Sequence, residues 1–347
     1  MAVNDHDWAV VISVSEYEGA SAQPPWITKL KGPDKDAAAI TEWLTSPEGG
    51  GLPAENVMQV PSPFPPSASG VPKQLEIVEA FNELAELPTD AYNQRSGRRL
   101  YVYVSGHGLV GQSRHDVAVI TAEATFEDGM NVLITSWLDW FWYAARFEEF
   151  VLWVDTCATR VPPSIELRPC DRDRETRADA AQGDLLIIFA AGFNYTSVEN
   201  ELEGDWHGVF THALLKGLKG AAGSPVTTQA LKTYLFNSMK TFMTDAQRRN
   251  PQVAKEPWFE QAADLELAAP GAQQTFTATT RFPPECVGKR VTVSVNATSP
   301  LVADETLAAE EWKLELPVGA YAVYVPELGL QAAFQVTGGQ DAVVTVQ

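Results

Sequence analysis

Cys157 and His107 are the two residues of this sequence best placed to do covalent chemistry together. Each follows a short apolar, β-branched and aromatic run. Leu100-Tyr101-Val102-Tyr103-Val104 leads into Ser105-Gly106-His107-Gly108, and Phe150-Val151-Leu152-Trp153-Val154 leads into Asp155-Thr156-Cys157. Such runs read as buried strands, and the glycines around His107 permit a sharp turn and close backbone approach. A thiol of pKa about 8.5 is only a few per cent thiolate at neutral pH, yet it needs little more than a nearby imidazole to attack a carbonyl. His107 would then pass the proton to the departing amine. The backbone N–H groups of Gly108 and Cys157 are sited to hold the tetrahedral oxyanion, a contribution of about 3 kcal/mol per donor in peptidases. Singly, a cysteine at a strand end is more often a small hydrophobe, and a histidine in a glycine turn a structural hydrogen-bonder. The pairing by strand, turn and chain order carries the chemical reading.

For two residues 50 positions apart to meet, their strands must deliver them to the same end of one sheet. Apolar runs alternate with helical patterns over the first three quarters of the chain, which implies an α/β fold with a mostly parallel sheet flanked by helices. Trp8 to Val14 reads as the first strand and Asp34 to Leu44 as a helix with Pro33 near its start. A short strand at Val57–Val60 sits inside a Pro/Ser/Gly-rich stretch, and Val71 to Leu87 reads as the next helix. Further strands are expected at Val117–Thr121 and Leu185–Ala191, with Ala263–Leu267 closing the sheet. Helices are expected at Thr135–Arg146, Gly208–Leu218 and Thr228–Thr244. Ligands of open parallel sheets collect beyond the carboxyl ends of the strands, where both candidates fall.

Between Arg160 and Gln182 the periodicity stops, and the polar segment carrying Arg160, Arg168, Arg172, Arg174 and Arg177 reads as an exposed, mobile loop. From Pro270 onward, period-2 segments such as Arg290–Val295 and Ala320–Val325 lie between Gly/Pro turns, as in a small antiparallel β-sandwich. The expected domains are therefore 1–269 and 270–347.

The net charge of −20 over 347 residues disfavours nucleic acid as a partner and suits basic peptides or proteins, although acidity also simply keeps a protein soluble. Three widely spaced cysteines give neither a metal-ligand pattern nor an even-numbered disulfide framework. With no secretory start and no bilayer-length apolar run, the expected location is cytoplasmic, with no membrane partner.

The chain resembles the caspase-like cysteine peptidases, metacaspases and their bacterial relatives above all. The resemblance runs from Trp8 to Leu267 and rests on the first strand, Gly32-Pro33-Asp34-Lys35-Asp36-Ala37, Tyr103-Val104-Ser105-Gly106-His107-Gly108, Val154-Asp155-Thr156-Cys157, and Gly208-Val209-Phe210-Thr211-His212-Ala213-Leu214-Leu215. Where the family often has His-Ser-Gly after the nucleophile, this chain has Ala158-Thr159-Arg160, which bears on the shape of the substrate loop. The resemblance implies a catalytic His107/Cys157 dyad and a substrate pocket floored by Asp36, Ser105 and Asp155. Two carboxylates there would pair a guanidinium bidentately, so cleavage is expected after Arg, then Lys, and not after Asp. The residue-level alternative is that Asp36 only complements its helix dipole and Asp155 only orders its turn.

The resemblance further implies a zymogen cut in the 160–182 loop by itself or by an upstream peptidase, and a role in bacterial stress or antiviral self-destruction. No cofactor is required on this reading, no metal site is assigned, and calcium activation stays open. Trp206-His207 is a candidate border of the substrate groove, with loop packing as its alternative, and His115 reads as a surface histidine. Two other functions remain: a catalytically silent caspase-like scaffold, against which the intact pair speaks, and a separase-type or CHAT-type peptidase with a different pocket.

Overall fold

The two apolar runs that precede His107 and Cys157 become neighbouring parallel strands. A computed structural model of the chain describes residues 4–21, 27–89, 94–111, 116–125, 127–160, 165–173, 176–177, 183–261, 263–268, 275–295, 301–337 and 342–346. In chain order the first part comprises β1 (Trp8–Ser13), α1 (Pro33–Thr45), β2 (Val57–Val60), α2 (Gln74–Ala85), β3 (Arg99–Gly106), β4 (Gly108–Val110), β5 (Val117–Ile120), β6 (Asn131–Leu133), α3 (Ile134–Tyr143), β7 (Glu149–Thr156) and β8 (Thr159–Arg160). There follow β9 (Asp184–Phe189), β10 (Glu199–Leu202), β11 (Asp205–Gly208), α4 (Val209–Lys216), β12 (Val226–Thr227), α5 (Thr228–Ser238), α6 (Asp245–Arg249), β13 (Trp258–Gln261) and β14 (Glu266–Ala268).

The central sheet has the order β13-β9-β7-β3-β1-β2, parallel throughout except for antiparallel β13. Period-2 alternation sends side chains of each strand to opposite faces. Val10, Ile12, Val102, Val104, Leu152 and Val154 meet Phe81 of α2 and Trp137 of α3, whose rings stack at 5.2 Å. On the other face Val11, Tyr103, Val151 and Trp153 meet Ile40 and Trp43 of α1 and Phe210 of α4. Each such large apolar side chain contributes ~1.5–3 kcal/mol by leaving water. With both faces covered, the strands read as unbroken apolar runs, which is why they were legible.

β1 and β3 leave the sheet centre in opposite directions, since β2 lies outside β1 while β7 and β9 lie outside β3. The strand order therefore reverses at β1/β3, the place where open α/β sheets form their crevice.

Two expectations need correction. The sheet is closed by Trp258–Gln261, not Ala263–Leu267: the Trp258 ring stacks on Phe189 at 5.2 Å, while Leu265 and Leu267 are buried beneath α5 and β14 pairs with β12. Helix α5 ends at Ser238, with a tighter turn at Met239–Phe242 in place of a helix to Thr244.

The last strands are β15 (Phe276–Arg281), β16 (Arg290–Val295), β17 (Leu301–Thr306), β18 (Glu311–Leu316), β19 (Gly319–Val325), β20 (Leu330–Val336) and β21 (Ala342–Thr345). They form sheets β18-β15-β21 and β17-β16-β19-β20 around a core of their own that includes Val291, Val293, Leu316, Val323 and Val325. The pairing is antiparallel except between β15 and β21, which run parallel. Among the described residues no helix is long and apolar enough to cross a membrane.

Candidate active site

β3 and β7 run in register, with Ser105 opposite Asp155 and Gly106 opposite Thr156. The next residue on each strand is His107 and Cys157, so the sheet itself sets the two side by side. Both line one cavity of about 270 Å³ together with Asp36, Ser105, Asp155, Ser197 and Glu199. Five residues singled out in the sequence thus converge on one place.

His107 is held at three points. Its backbone N–H donates to the Tyr17 hydroxyl at 2.8 Å, that hydroxyl donates to Val14 O at 2.8 Å, and the Tyr17 ring lies 4.9 Å from the imidazole. Nε2 sits 2.8 Å from Thr28 O. A carbonyl only accepts, so Nε2 carries the proton and Nδ1 keeps the lone pair that can take one. Gly106 is required by this grip, because a Cβ there would fall 2.9 Å from the Tyr17 hydroxyl.

Burial pushes the His107 imidazole below its ordinary 6.5, against the opposing pull of the Thr28 carbonyl and the Glu199 charge. Burial likewise pushes the Cys157 thiol above its ordinary 9.0. The thiol donates to Ser197 O at 3.7 Å, a bond made by its protonated form, and the charge of Asp155 adds to the rise. Both partners therefore rest uncharged near neutrality, as imidazole and thiol.

Gly108 does not line the cavity, and its backbone lies against the turn at Cys157. A Cβ at this position would overlap Thr156 Oγ1 and come 2.7 Å from Cys157 O. That close approach places the Gly108 backbone near the Cys157 backbone.

The pocket carboxylates are buried and heavily bonded. Asp36, in the first turn of α1, is fully buried. It accepts from His207 Nδ1 and from Gly208 N, each at 2.7 Å. Asp155 accepts from Ser197 Oγ at 2.7 Å, Thr211 Oγ1 at 2.7 Å and Thr211 N at 3.2 Å. Since Thr211 spends its hydroxyl proton on Asp155, the Tyr103 hydroxyl 2.8 Å away must be the donor to Thr211. Desolvation pushes Asp36 up to about 7 and raises Asp155, and the hydrogen bonds oppose both shifts. Ser105 is buried and lines the same cavity. Glu199 adds a third carboxylate, accepting from Lys31 N and Gly32 N at 2.9 Å.

Tyr17, Thr28, Ser197, Glu199 and Thr211 were not singled out in the sequence. Thr211 lies within Gly208-Val209-Phe210-Thr211 and its polar side chain on an apolar helix was the available signal; Tyr17, Thr28 and Ser197 sit in irregular stretches with none, and Glu199 opens the short polar strand β10. His207 stands behind Asp36, outside the cavity wall, and Trp206 carries the Lys31 ammonium 3.9 Å above its ring. His115 lies outside the described residues. Among the described residues no group of three or more His, Cys, Asp or Glu side chains is placed to hold a metal ion.

In the segment after Cys157, the described residues 165–173 and 176–177 are docked, where an exposed and mobile loop was expected. Arg168 bonds Asp128 at 2.9 Å, and its carbonyl accepts from Leu133 N at 2.8 Å. Arg172 bonds Asn82 at 2.9 Å and Glu86 at 2.8 Å, with its guanidinium 5.0 Å from the Trp140 ring centre. Arg177 donates to Gln94 O at 2.7 Å. Polar pairs with α2 and α3 replace the apolar periodicity whose absence suggested a free loop. Arg160, on β8 beside β4, is exposed, and Arg174 lies outside the described residues.

Comparison with known proteins places this geometry. A family model described as the caspase domain matches residues 6–267. A probable protease of a Desulfuromonadales bacterium is 27% identical over 248 residues, which cover 66% of this chain and 28% of that protein. The chain thus spans little more than a quarter of that relative's length. The crystal structure of caspase-1 from Spodoptera frugiperda aligns with 79% of this chain and 94% of its own, at 16% identity and a TM-score of 0.49.

Proposed function

The chain belongs to the caspase domain family, and on that premise we propose that it is a cysteine endopeptidase cutting proteins or peptides after Arg, and less readily after Lys. The observation that carries the proposal is the single cavity joining Cys157 and His107 to Asp36 and Asp155.

In this reading the neutral thiol is deprotonated only as it attacks. Nδ1 of His107 takes the proton while Sγ bonds to the carbonyl carbon, and Nε2–H on Thr28 O steadies the imidazolium that forms. The N–H groups of Cys157 and Gly108 receive the oxyanion. His107 then protonates the leaving amine, giving a thioester that water hydrolyses with His107 as base. A guanidinium beside Asp155 and Asp36 replaces water with charge-assisted bonds, whereas an acidic side chain would be desolvated against like charge at a cost of several kcal/mol.

Processing belongs to the same proposal. Arg160, exposed and three residues past the nucleophile, is the cleavage point this arrangement favours, by the chain itself or by an upstream peptidase. Arg168, Arg172 and Arg177 are instead engaged in docking contacts. We read 270–347 as an accessory β unit that binds a partner or covers the peptidase part, and a stress or antiviral setting as the physiological context.

A fluorogenic peptide library varying the residue before the scissile bond, run on wild type and Cys157→Ala, tests the core of this. Preference for Asp or an apolar residue overturns the specificity, and undiminished hydrolysis by Cys157→Ala overturns the dyad. Equal fragmentation of the two chains overturns self-processing.

A further inference from the structure

Asp36 has no oxygen free of the protein. One is taken by His207 Nδ1 and the other by Gly208 N, both from the end of β11, and Gly208 is wedged so closely that a Cβ would overlap Asp155 Oδ2 and lie 3.2 Å from Asp36 Oδ2. The pocket carboxylate therefore already possesses a basic partner, held 2.7 Å away on a hairpin at the pocket edge. His207 is partly open to water, with 21% of its side chain exposed, whereas the Asp36 side chain is at 0%. A proton can thus reach the imidazole from solvent, and its charge is felt inside the cavity through Asp36.

The other charges around this pair are matched. On α1, Lys35 pairs with Asp205 of β11. Glu203, in the β10–β11 turn, pairs with Lys216 of α4 at 2.7 Å. His212 of α4 lies 5.7 Å from the His207 ring and packs on Phe242; burial and Lys216 push it down to about 4, so it stays neutral in the physiological range. What remains is the cavity carboxylates Asp36, Asp155 and Glu199 and one titratable base, His207, in contact with Asp36. The hydrogen bond to Asp36 raises the His207 imidazole above its ordinary 6.5, and desolvation raises Asp36. The two shifts describe one proton shared by a coupled pair and retained into the neutral range.

We propose that His207 is a proton-dependent selector of the substrate side chain: protonated, it serves as the cation of Asp36 and the cavity takes a guanidinium poorly; deprotonated, it leaves the Asp36 charge to the substrate. His207 is a positioning residue on this view, acting through Asp36, and the inference rests on the peptidase reading above. By linkage, a bound arginyl side chain expels the shared proton, so binding tightens as pH rises through the pair's titration.

The test compares kcat/KM for two fluorogenic peptides that differ only in carrying arginine or its uncharged isostere citrulline before the scissile bond, between about pH 5 and 8. Their ratio cancels the titration of the dyad. In wild type it falls about tenfold on acidification, the equivalent of one pKa unit of coupling. In His207→Asn, which keeps an N–H where Nδ1 stands, only the Asp36 carboxyl can take the proton and the fall moves to lower pH. A flat ratio in wild type, or a fall at the same pH in His207→Asn, overturns the selector. Calorimetry on Cys157→Ala with an arginyl peptide amide, in buffers of different ionisation enthalpy, adds a readout that needs no turnover: proton release near neutrality supports the proposal, and none overturns it. Undiminished hydrolysis of both peptides by a chain whose Cys157 is alkylated overturns the peptidase reading itself, a result distinct from a flat ratio in the unmodified chain with both peptides cut.

Discussion

Replacing Tyr17 by Phe removes one oxygen and should slow the chemical step without weakening substrate binding. The hydroxyl accepts from His107 N and donates to Val14 O, and Tyr17 is buried at 6% exposure. Tyr17→Phe therefore strands one donor and one acceptor. An unsatisfied buried group costs roughly 1–3 kcal/mol, and part of this loss falls on the bond that holds the N–H of the residue bearing the imidazole. If about 1.4–2.7 kcal/mol of it is expressed as looser placement of Nδ1 at the transition state, kcat falls ~10–100-fold. Tyr17 does not line the cavity, so KM should move little. Tyr17→Leu, which also removes the ring 4.9 Å from the imidazole, should lose more.

Steady-state kinetics with an arginyl fluorogenic peptide, beside thermal melting of the same samples, separates the possibilities. A melting temperature lowered by several degrees with kcat within twofold of wild type would show that the hydroxyl serves folding alone and would refute the reasoning. A rise in KM at constant kcat would refute it equally, by placing Tyr17 in binding.

Three other outcomes are expected. Iodoacetamide should alkylate Cys157 slowly at neutral pH and speed up only above the ordinary thiol range, because burial raises that thiol; His107→Ala should change the neutral-pH rate by less than about threefold, since no resting ion pair holds a thiolate. Gly208→Ala should retain the fold by circular dichroism yet lose arginyl cleavage by about 100-fold or more, because the new methyl overlaps Asp155 and crowds Asp36. Arg172→Ala should lower stability by about 1 kcal/mol and speed tryptic cutting at Arg168 and Arg177, read by mass spectrometry, as the segment loses its bonds to Asn82 and Glu86 and its contact with Trp140.

The elements legible in the sequence were those whose burial is uniform. β3 and β7 lie between two helical layers, so Tyr101 to Val104 and Val151 to Val154 had to be apolar on both sides, and the polar residues that interrupt them mark the site. The edge strand Trp258–Gln261 escaped because its Glu260-Gln261 end breaks the run, and its pairing depends on the stacking of Trp258 on Phe189, which no local pattern announces. The docked segment escaped for a related reason. Arg168 and Arg172 are held by ion pairs and a π face, and these leave no periodicity. In the site, the residues that carry charge were readable from their types, but Tyr17, Thr28 and Ser197 act through a hydroxyl or a backbone carbonyl that every residue type possesses or many share.

The hairpin β10–β11 and the chain leading into it touch each part of the site. Ser197 gives its carbonyl to the Cys157 thiol and its hydroxyl to Asp155. Two residues on, Glu199 takes the N–H groups of Lys31 and Gly32 at the start of α1. At the far end His207 and Gly208 hold Asp36. Nucleophile, pocket floor and helix start are therefore positioned by one short stretch whose own apolar anchorage is slight, since among residues 197–208 only Asn200 and Gly208 are buried. Polar bonds to buried groups are costly to leave unmade, so a displacement that breaks one of these contacts favours breaking the others. Because Asp36 and Asp155 would then face each other with fewer donors, the same displacement would raise their repulsion and weaken the cavity for a cation. A segment of this kind couples thiol, pocket and proton uptake in a single movement, which places control of the site in the hairpin rather than in the rigid sheet beneath it.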